Sequence, residues 1–199
     1  MDPDTDKRVL VTDFTNPTQG QTMGFIDDLA LDHFGKILIS PEGAEFTSGS
    51  ALFQVNPQTG QRKLVSDFSN QAQGVFALFN SFKGLAGTSG RILANACFGP
   101  SCESGLLRID PETGNRTVLS DFGGTFLAGL GIEKSGDIIV CLSPPDSLYR
   151  VNPRTGGSAS FSDSSNPAQG PPFSNGVVYL AVVTPAQACH GNGRNDCLP

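Results

Sequence analysis

Four aspartates recur at equivalent places along the chain and are the first candidates for chemistry. Each follows a serine or threonine at the end of a short apolar run, and they are Asp13, Asp67, Asp121 and Asp163. If the four carboxylates converged at one end of the molecule, their oxygens would suit a calcium ion. The alternative is that each carboxylate accepts backbone hydrogen bonds within its own turn. Repetition of the position favours this structural role.

Cysteines form a second candidate set. Cys97 and Cys102 bracket a tight loop, whereas Cys189 and Cys197 bracket a glycine-rich tail. Both spacings suit local disulfides, which persist in oxidising compartments. Cys141 is left over, and we expect it to be buried in a strand as a small apolar residue. The pattern predicts an extracellular or periplasmic protein, although the acidic residues that open the chain do not resemble a signal peptide.

Histidines offer little for catalysis. The two histidines are His33, which we expect in a surface turn, and His190, in the tail. Neither is spaced from a serine or cysteine in a way that indicates a nucleophile and its base. A metal site formed by Cys189, His190 and Cys197 is the alternative to a disulfide in the tail. It has only three ligands and no paired C-x-x-C motif.

One turn sequence occurs three times and indicates which elements position these residues. The copies are Asn-Pro-Gln-Thr-Gly at 56–60, Asp-Pro-Glu-Thr-Gly at 110–114 and Asn-Pro-Arg-Thr-Gly at 152–156. Asn or Asp accepts backbone hydrogen bonds, proline presets its own φ, and glycine supplies the positive φ that closes a hairpin. Each turn therefore joins two antiparallel strands.

Further elements around each turn complete a repeating unit of four strands. A strand, a glycine turn and a second strand precede each hairpin, at 29–39, 85–94 and 130–140. The strand after each hairpin turn ends in the repeated Ser-Asp. Four consecutive antiparallel strands form one blade of a β-propeller. The sequence therefore predicts an all-β fold built from such blades.

The order of these motifs resembles the NHL and virginiamycin-lyase-like propeller repeats and, more distantly, the SMP-30/gluconolactonase group. The resemblance rests on a glycine turn followed by Ile and a second apolar residue, on Arg-Val-Asn-Pro-x-Thr-Gly, and on a strand that ends in Ser-Asp-Phe. It covers about residues 7 to 183, nearly the whole chain. These propellers include scaffolds, binding proteins and enzymes, so the resemblance predicts the fold more strongly than the function.

Three full blades with partial strands at both ends make a small or incomplete propeller. We predict blades at about 22–68, 76–122 and 126–163, with terminal strands at 7–14 and 175–183 and a cysteine-bracketed tail at 184–199. If the strand at 7–14 is an outer strand and the strand at 175–183 is an inner strand, the two ends of the chain would together form one blade. The alternatives are a fragment of a longer protein, or a homo-oligomer in which chains complete each other's ring. An unpaired blade edge would otherwise invite aggregation.

The resemblance also implies where an enzyme of this kind would bind metal. Gluconolactonase-like propellers hold a divalent ion on the central axis through inward Glu, Asn and Asp side chains, and virginiamycin-lyase-like propellers pair a catalytic histidine with Mg²⁺. Asn95 lies at about such a position, but the equivalent residues are Ser40 and Cys141. No active site is therefore carried over, and no cofactor is expected. Asn95 remains the candidate ligand for Ca²⁺ or another divalent ion.

Composition argues against two classes of partner. The 199 residues carry a formal net charge of -6, whereas nucleic-acid binding depends on basic surface. No apolar stretch approaches the roughly 20 residues that span a bilayer, so no membrane span is expected.

The leading hypothesis is a non-catalytic binding or scaffold module that recognises a protein or glycan partner through loops on one face. Insertions at 41–50 and 98–104 would extend two blades on the same side, and loops on rigid scaffolds commonly carry function. The candidate contact residues are Glu42, Glu45, Phe46, Phe98 and Glu103. The competing hypotheses are a metal-dependent lyase or lactonase, and a structural repeat of a larger extracellular assembly.

Overall fold

The computed structural model describes residues 7–42, 51–75, 84–88, 90–98, 103–143 and 146–171. Within them the fold is all-β, with twelve strands and three short 3-10 turns. The strands pair in chain order into three four-stranded antiparallel sheets. The predicted fold, an incomplete propeller of four-stranded blades, is therefore confirmed.

Each sheet is one blade, and its strands follow the chain from the inner edge to the outer edge. Blade 1 contains β1 (Phe25–Leu31), β2 (Ile37–Glu42), β3 (Ala51–Val55) and β4 (Arg62–Asp67). Blade 2 contains β5 (Leu85–Thr88), β6 (Arg91–Phe98), β7 (Glu103–Ile109) and β8 (Arg116–Asp121). Blade 3 contains β9 (Phe126–Ile132), β10 (Ile138–Ser143), β11 (Ser147–Val151) and β12 (Ser158–Asp163).

The repeated turn sequence produces the same hairpin in all three blades. In blade 1, Asn56 Oδ1 accepts the backbone N–H of Gln58 at 2.9 Å. The Asn56 carbonyl oxygen accepts the N–H of Gly60 at 2.8 Å, and Gly60 has a φ of 70°, which a residue with a Cβ rarely adopts. Asp110 and Asn152 make the equivalent bonds. The repeat in sequence is therefore a repeat in local structure.

The blades pack face to face through two apolar clusters. The first joins Leu38, Leu52, Val65 and Phe68 of blade 1 to Leu85, Ile92, Ala94, Ala96, Leu107 and Ile109 of blade 2. The second joins Leu93 and Leu106 of blade 2 to Leu127, Leu130, Ile138, Val140, Leu142 and Val151 of blade 3. Successive residues of a strand point to opposite faces of its sheet. For this reason the neighbours Leu93 and Ala94 belong to different clusters.

The segment before blade 1 differs from the strand predicted at 7–14, because these residues form no strand pairing with any other described part of the chain. Val11 and Phe14 instead pack on the face of blade 1 that points away from blade 2. They contact a third apolar cluster, formed by Met23, Ile39, Ala51, Phe53 and Val55. The segment thus covers an apolar sheet face in the place that a preceding blade would take.

The strand predicted at 175–183 and the tail predicted at 184–199 lie outside the described residues. In the part of the chain that the structure describes, no helix has the length and apolar character to cross a membrane.

Candidate functional site

An arginine at the start of β4 joins blade 1 to the segment before it. Arg62 is buried, with 7% of its surface exposed. Its guanidinium donates five hydrogen bonds of 2.7 to 3.0 Å, accepted by Thr12 Oγ1 and by the carbonyl oxygens of Asp13, Asn16, Gly20 and Gln21. We call this arrangement, residues 12–21 with Arg62, the first arginine clamp.

The second arginine clamp, residues 66–75 with Arg116, repeats the arrangement between blades 1 and 2. Arg116 starts β8 and is 3% exposed. It donates to Ser66 Oγ at 2.7 Å and to the carbonyl oxygens of Asp67, Asn70 and Val75 at 2.8, 2.9 and 3.2 Å. Its guanidinium lies 4.5 Å from the ring centroid of Phe68. Burial lowers the pKa of Arg116, and the negative charge of Asp67 raises it in part.

The repeated aspartates cap the turns of these loops. In Asp13, Asp67 and Asp163, Oδ1 accepts both the backbone N–H and the hydroxyl of the residue two positions on. Asp121 Oδ1 accepts the N–H of Gly123 at 2.8 Å. The hydroxyl and N–H donors hold the pKa values of Asp13 and Asp163 below the ordinary value. This geometry supports the structural interpretation of the four aspartates, and calcium binding by them stays a prediction.

Blade 3 is joined to blade 2 without such a clamp. Ser158 starts β12 where blades 1 and 2 have arginine, and Gly123 and Gly124 replace the loop that would hold a guanidinium. Blade 3 therefore lacks the clamp arginine, and the chain before it lacks the loop that would bind this arginine. Arg108 of blade 2 instead donates a hydrogen bond to the carbonyl oxygen of Pro153 in blade 3.

Asn95, the candidate metal ligand, is 1% exposed in β6. Its amide nitrogen and the side chain of Leu130 both adjoin Gly84, so the amide lies on the side of blade 2 that faces blade 3. Among the described residues, neither polar atom of the amide has a hydrogen-bond partner. The equivalent Ser40 and Cys141 are also buried. No group of three His, Cys, Asp or Glu side chains in the described ranges could hold an ion, and metal binding by Asn95 stays a prediction.

The predicted contact residues are only partly described. Glu103 is exposed at the start of β7, at the end of that strand opposite to the β7–β8 hairpin turn. Glu42 and Phe98 end β2 and β6, but their side chains are not described. Glu45 and Phe46 lie outside the described residues. A contact role for this set stays a prediction.

Two of the cysteines are described. Cys97 is disulfide-bonded, and its predicted pairing with Cys102 stays a prediction because Cys102 lies outside the described residues, as do Cys189 and Cys197. Cys141 is a buried free thiol, as expected. Burial, together with the negative charge of Asp146, raises the pKa of the Cys141 thiol to about 11. The thiol therefore stays protonated at neutral pH and is a poor nucleophile.

A cleft of about 270 Å³ lies between blades 1 and 2, at the end of the sheets where the tight hairpin turns meet. We call it the turn cleft. Its wall from blade 1 contains Asp32, His33, Phe34, Lys36, Gln54 and Lys63. Its wall from blade 2 contains Thr88, Gly90, Arg91, Ile92, Pro111 and Glu112.

Hydrogen bonds hold the blade 1 wall of the turn cleft in place. Asp32 Oδ1 accepts the backbone N–H groups of Phe34 and Lys36 at 2.8 and 2.9 Å. Gln54 Nε2 donates to Asp32 Oδ2 at 2.6 Å, and Lys36 Nζ donates to Gln54 Oε1 at 3.2 Å. The β1–β2 turn is thus fixed to β3, and the exposed side chains of His33 and Phe34 project from a rigid base.

The sequence did not predict the turn cleft, although His33 is exposed in its turn as expected. The two walls come from hairpins of different blades, and no local motif brings them together. The available signal was weak: Lys63, Arg91 and Glu112 are charged residues that flank or lie within the repeated hairpin turns. Placing them in one cleft requires the packing of blade 1 on blade 2.

Three antiparallel sheets packed face to face in chain order define a β-propeller-like fold. No known family matches the sequence, and no curated protein matches it. The likeness to NHL, virginiamycin-lyase-like and SMP-30/gluconolactonase repeats therefore stays a resemblance.

The solved structures that are similar to this chain include the following three. The extracellular domain of a one-component system from B. thetaiotaomicron is 16% identical, has a TM-score of 0.49, and is matched over 77% of this chain and 18% of that one. A protein of unknown function from Bacteroides caccae is 17% identical, with a TM-score of 0.42 and coverage of 69% and 45%. A puromycin hydrolase variant is 11% identical, with a TM-score of 0.33 and coverage of 73% and 32%. The chain spans less than half the length of each.

Proposed function

We propose that this protein is a non-catalytic propeller-like binding module, which recognises a partner protein through the face formed by its hairpin turns. The observation that carries the proposal is the turn cleft of about 270 Å³ between blades 1 and 2. A concave site between rigid elements, with a few polar groups around an apolar contact, is the usual form of a recognition site. The extracellular or periplasmic location predicted from the cysteines is part of this proposal.

The side chains at the mouth of the cleft are of the kind found in protein interfaces. Phe34 is 78% exposed, although burial of an aromatic ring on binding would be favourable. Arg91 lies on the opposite wall, in a solvent-exposed ion pair of 3.6 Å with Asp110. Aromatic residues and arginine are enriched at the centres of protein interfaces. A partner segment that covered Phe34 and Arg91 would therefore contact two side chains of the types that are enriched at interface centres.

Charges of both signs line the cleft, which favours a peptide segment over a uniformly charged ligand. Lys63 and Glu112 face the cleft from different blades, and no hydrogen bond or ion pair engages either side-chain charge within the described residues. Complementary charges on a partner would increase the rate of association and select its orientation. We therefore expect a peptide with an apolar anchor flanked by an acidic and a basic residue.

The test is selection of peptides from a displayed random library against the immobilised full chain, followed by calorimetry with the enriched peptides. Phe34→Ala should weaken binding by about tenfold or more, because truncation of an aromatic anchor typically costs about 2 kcal/mol. Lys63→Glu should weaken binding of peptides that carry an acidic residue. Phe25→Ala is the matched control, since Phe25 is also 78% exposed but lies outside the cleft.

The same experiment separates this proposal from the alternatives. Peptides whose affinity depends on Glu103 and not on Phe34 would move recognition to the opposite face. Binding on a glycan array, without any peptide that depends on Phe34, would favour a glycan partner. If neither array binds the chain, the structural-repeat hypothesis is favoured. Retention of a stoichiometric divalent ion in a native mass spectrum, lost on Asn95→Ala, would favour the metal-dependent enzyme.

A further inference from the structure

The loop that follows blade 3, residues 162–170, has the same structure as the loops of the two arginine clamps. The N–H of Asp163 donates to Gln169 Oε1 at 2.7 Å, as Asp13 does to Gln19 at 2.8 Å and Asp67 to Gln73 at 3.0 Å. Asn166 caps its turn through Ala168 at 3.0 Å, as Asn70 does through Ala72. Gly170 and Gly74 share a φ of 123°. We call residues 162–170 the third loop.

The acceptors that hold arginine in the clamps are present in the third loop. The carbonyl oxygens of Asp163 and Asn166 each accept one backbone N–H, at 3.1 and 3.0 Å. In the first clamp the corresponding carbonyl oxygens of Asp13 and Asn16 also accept one backbone N–H each, and their second lone pair accepts Arg62. No arginine of the described residues donates to the third loop.

The outer strand of blade 3, β12, lies beside the third loop and is largely accessible to solvent. Every residue of β12 is exposed or half-buried, and Phe161 is 41% exposed. The equivalent Val65 of β4 is only 6% exposed, because blade 2 packs on it. The outer edge of blade 3 therefore presents a partly exposed apolar side chain, Phe161, beside an arginine-binding loop, and the counterparts of these two features join blade 2 to blade 1.

The existing contacts specify what a hairpin must carry to dock there. A Cβ at Gly60 would collide with the carbonyl oxygen of Val11, and a Cβ at Gly114 with that of Val65, so the turn requires glycine. Thr12 and Ser66 donate hydroxyl hydrogen bonds to the carbonyl oxygens of these glycines, both at 2.8 Å. Ser162 supplies the equivalent hydroxyl in the third loop. The arginine lies two residues after each glycine.

We propose that the third loop is a preformed binding site for an arginine side chain, and that its ligand is a β-hairpin with the sequence Thr-Gly-x-Arg at the edge of a further blade. The site has the internal hydrogen bonds of the occupied loops before any ligand is bound, so little ordering cost remains. Arginine suits it because a planar guanidinium can donate to several carbonyl oxygens at once, whereas a lysine ammonium is a point charge.

One difference from the clamps sets the expected affinity. Phe14 and Phe68 lie beneath the guanidinium groups of Arg62 and Arg116, at 5.7 and 4.5 Å, and the third loop has Ser164 at that position. The third loop thus lacks the cation–π contact. Restoring it with Ser164→Phe should tighten binding by about twofold to fivefold.

The test is a titration of the ¹⁵N-labelled full chain with a backbone-cyclised peptide that copies residues 105–118, which include Thr113, Gly114 and Arg116. We expect millimolar binding, with amide shifts confined to 161–170 and β12. Matched peptides with Arg116→Gln and Gly114→Ala should not bind, and the peptide with Arg116→Lys should bind about tenfold more weakly. Ser164→Phe in the full chain should increase the affinity for the arginine peptide alone.

Three results would overturn the proposal. The first is no shift in 161–170 at millimolar peptide. The second is equal binding of the arginine and glutamine peptides, which would assign the contact to strand pairing alone. The third is a set of shifts at 12–21, which would mean that the peptide competes with Arg62 for the first clamp. Since the peptides vary and the unmodified chain stays folded, none of these results depends on the stability of a variant.

Discussion

In each clamp, backbone carbonyl oxygens of a loop replace the water that would otherwise surround the guanidinium of one arginine. Arg116 is almost fully buried and lies against blade 1 through four hydrogen bonds and the ring of Phe68. Burial of a cation is unfavourable unless its donors are satisfied. The loop that follows β4 satisfies them, as residues 12–21 do for Arg62.

Replacement of Arg116 should therefore destabilise the protein strongly. We expect Arg116→Ala to lower the free energy of unfolding by about 3 kcal/mol, because charge-assisted hydrogen bonds are lost and buried acceptors are left underused. Arg91→Ala is the control, since Arg91 forms a solvent-exposed ion pair and its loss should cost under about 1 kcal/mol. Urea denaturation followed by circular dichroism measures both. Equal effects of the two substitutions would show that the clamp contributes no more than a surface pair.

At the scale of elements, the hairpin turns both end their own strands and dock on the preceding blade. Gly114 and Gly156 abut the carbonyl oxygens of Val65 and Leu119 in the outer strands before them. Glycine is thus needed at these positions for two reasons. It adopts the positive φ of the turn, and it lets the turn approach the preceding blade closely. The glycine of the β9–β10 turn, Gly136, has only the first requirement, because no atom lies within 4 Å of its position for a Cβ.

This difference predicts two distinct costs for the same substitution. Gly136→Ala should destabilise the fold by about 1 to 2 kcal/mol, the cost of a left-handed backbone for a residue with a Cβ. Gly114→Ala should cost more than about 3 kcal/mol, because overpacking against Val65 is added to that strain. Thermal and urea unfolding of the two variants would measure the difference. If both lose the same stability, the turn does not dock in solution as it does in the structure.

At the scale of the whole molecule, stability should decrease from the centre of the stack toward the accessible outer strand of blade 3. Blade 2 packs on both neighbours through two apolar clusters. Blade 3 is covered by blade 2 on one side, and its outer strand β12 is exposed or half-buried throughout. Contacts of this kind join each blade only to its neighbours, as in repeat proteins.

Hydrogen exchange followed by mass spectrometry would test this gradient. Amides of β6, β7 and β10 should exchange most slowly, whereas those of β12 should exchange fastest among the strands, because regions with few buried contacts open at low free energy. The arginine-bearing hairpin peptide provides a control, since docking should slow the exchange of β12 without changing β6. Uniform protection of all twelve strands would instead indicate a single cooperative unit, in which the end of blade 3 is as stable as the centre.

Local features of this protein were predictable from its sequence because they depend on residues close together in the chain. The repeated Asn-Pro-x-Thr-Gly turns, the alternation along β3, β7 and β11, and the grouping of four strands into a blade all follow from nearest-neighbour geometry. The structural role of the repeated aspartates also follows, since each carboxylate accepts donors only two residues away.

Only the tertiary structure decided which distant residues meet. Arg62 is a charged residue beside a turn in the sequence, and packing of the N-terminal segment makes it a buried clamp. The resemblance predicts a metal position for Asn95, whereas the structure places its amide on the face between blades 2 and 3. The walls of the turn cleft come from separate hairpins. Such contacts depend on how whole sheets stack, and stacking is driven by apolar area that no short motif encodes.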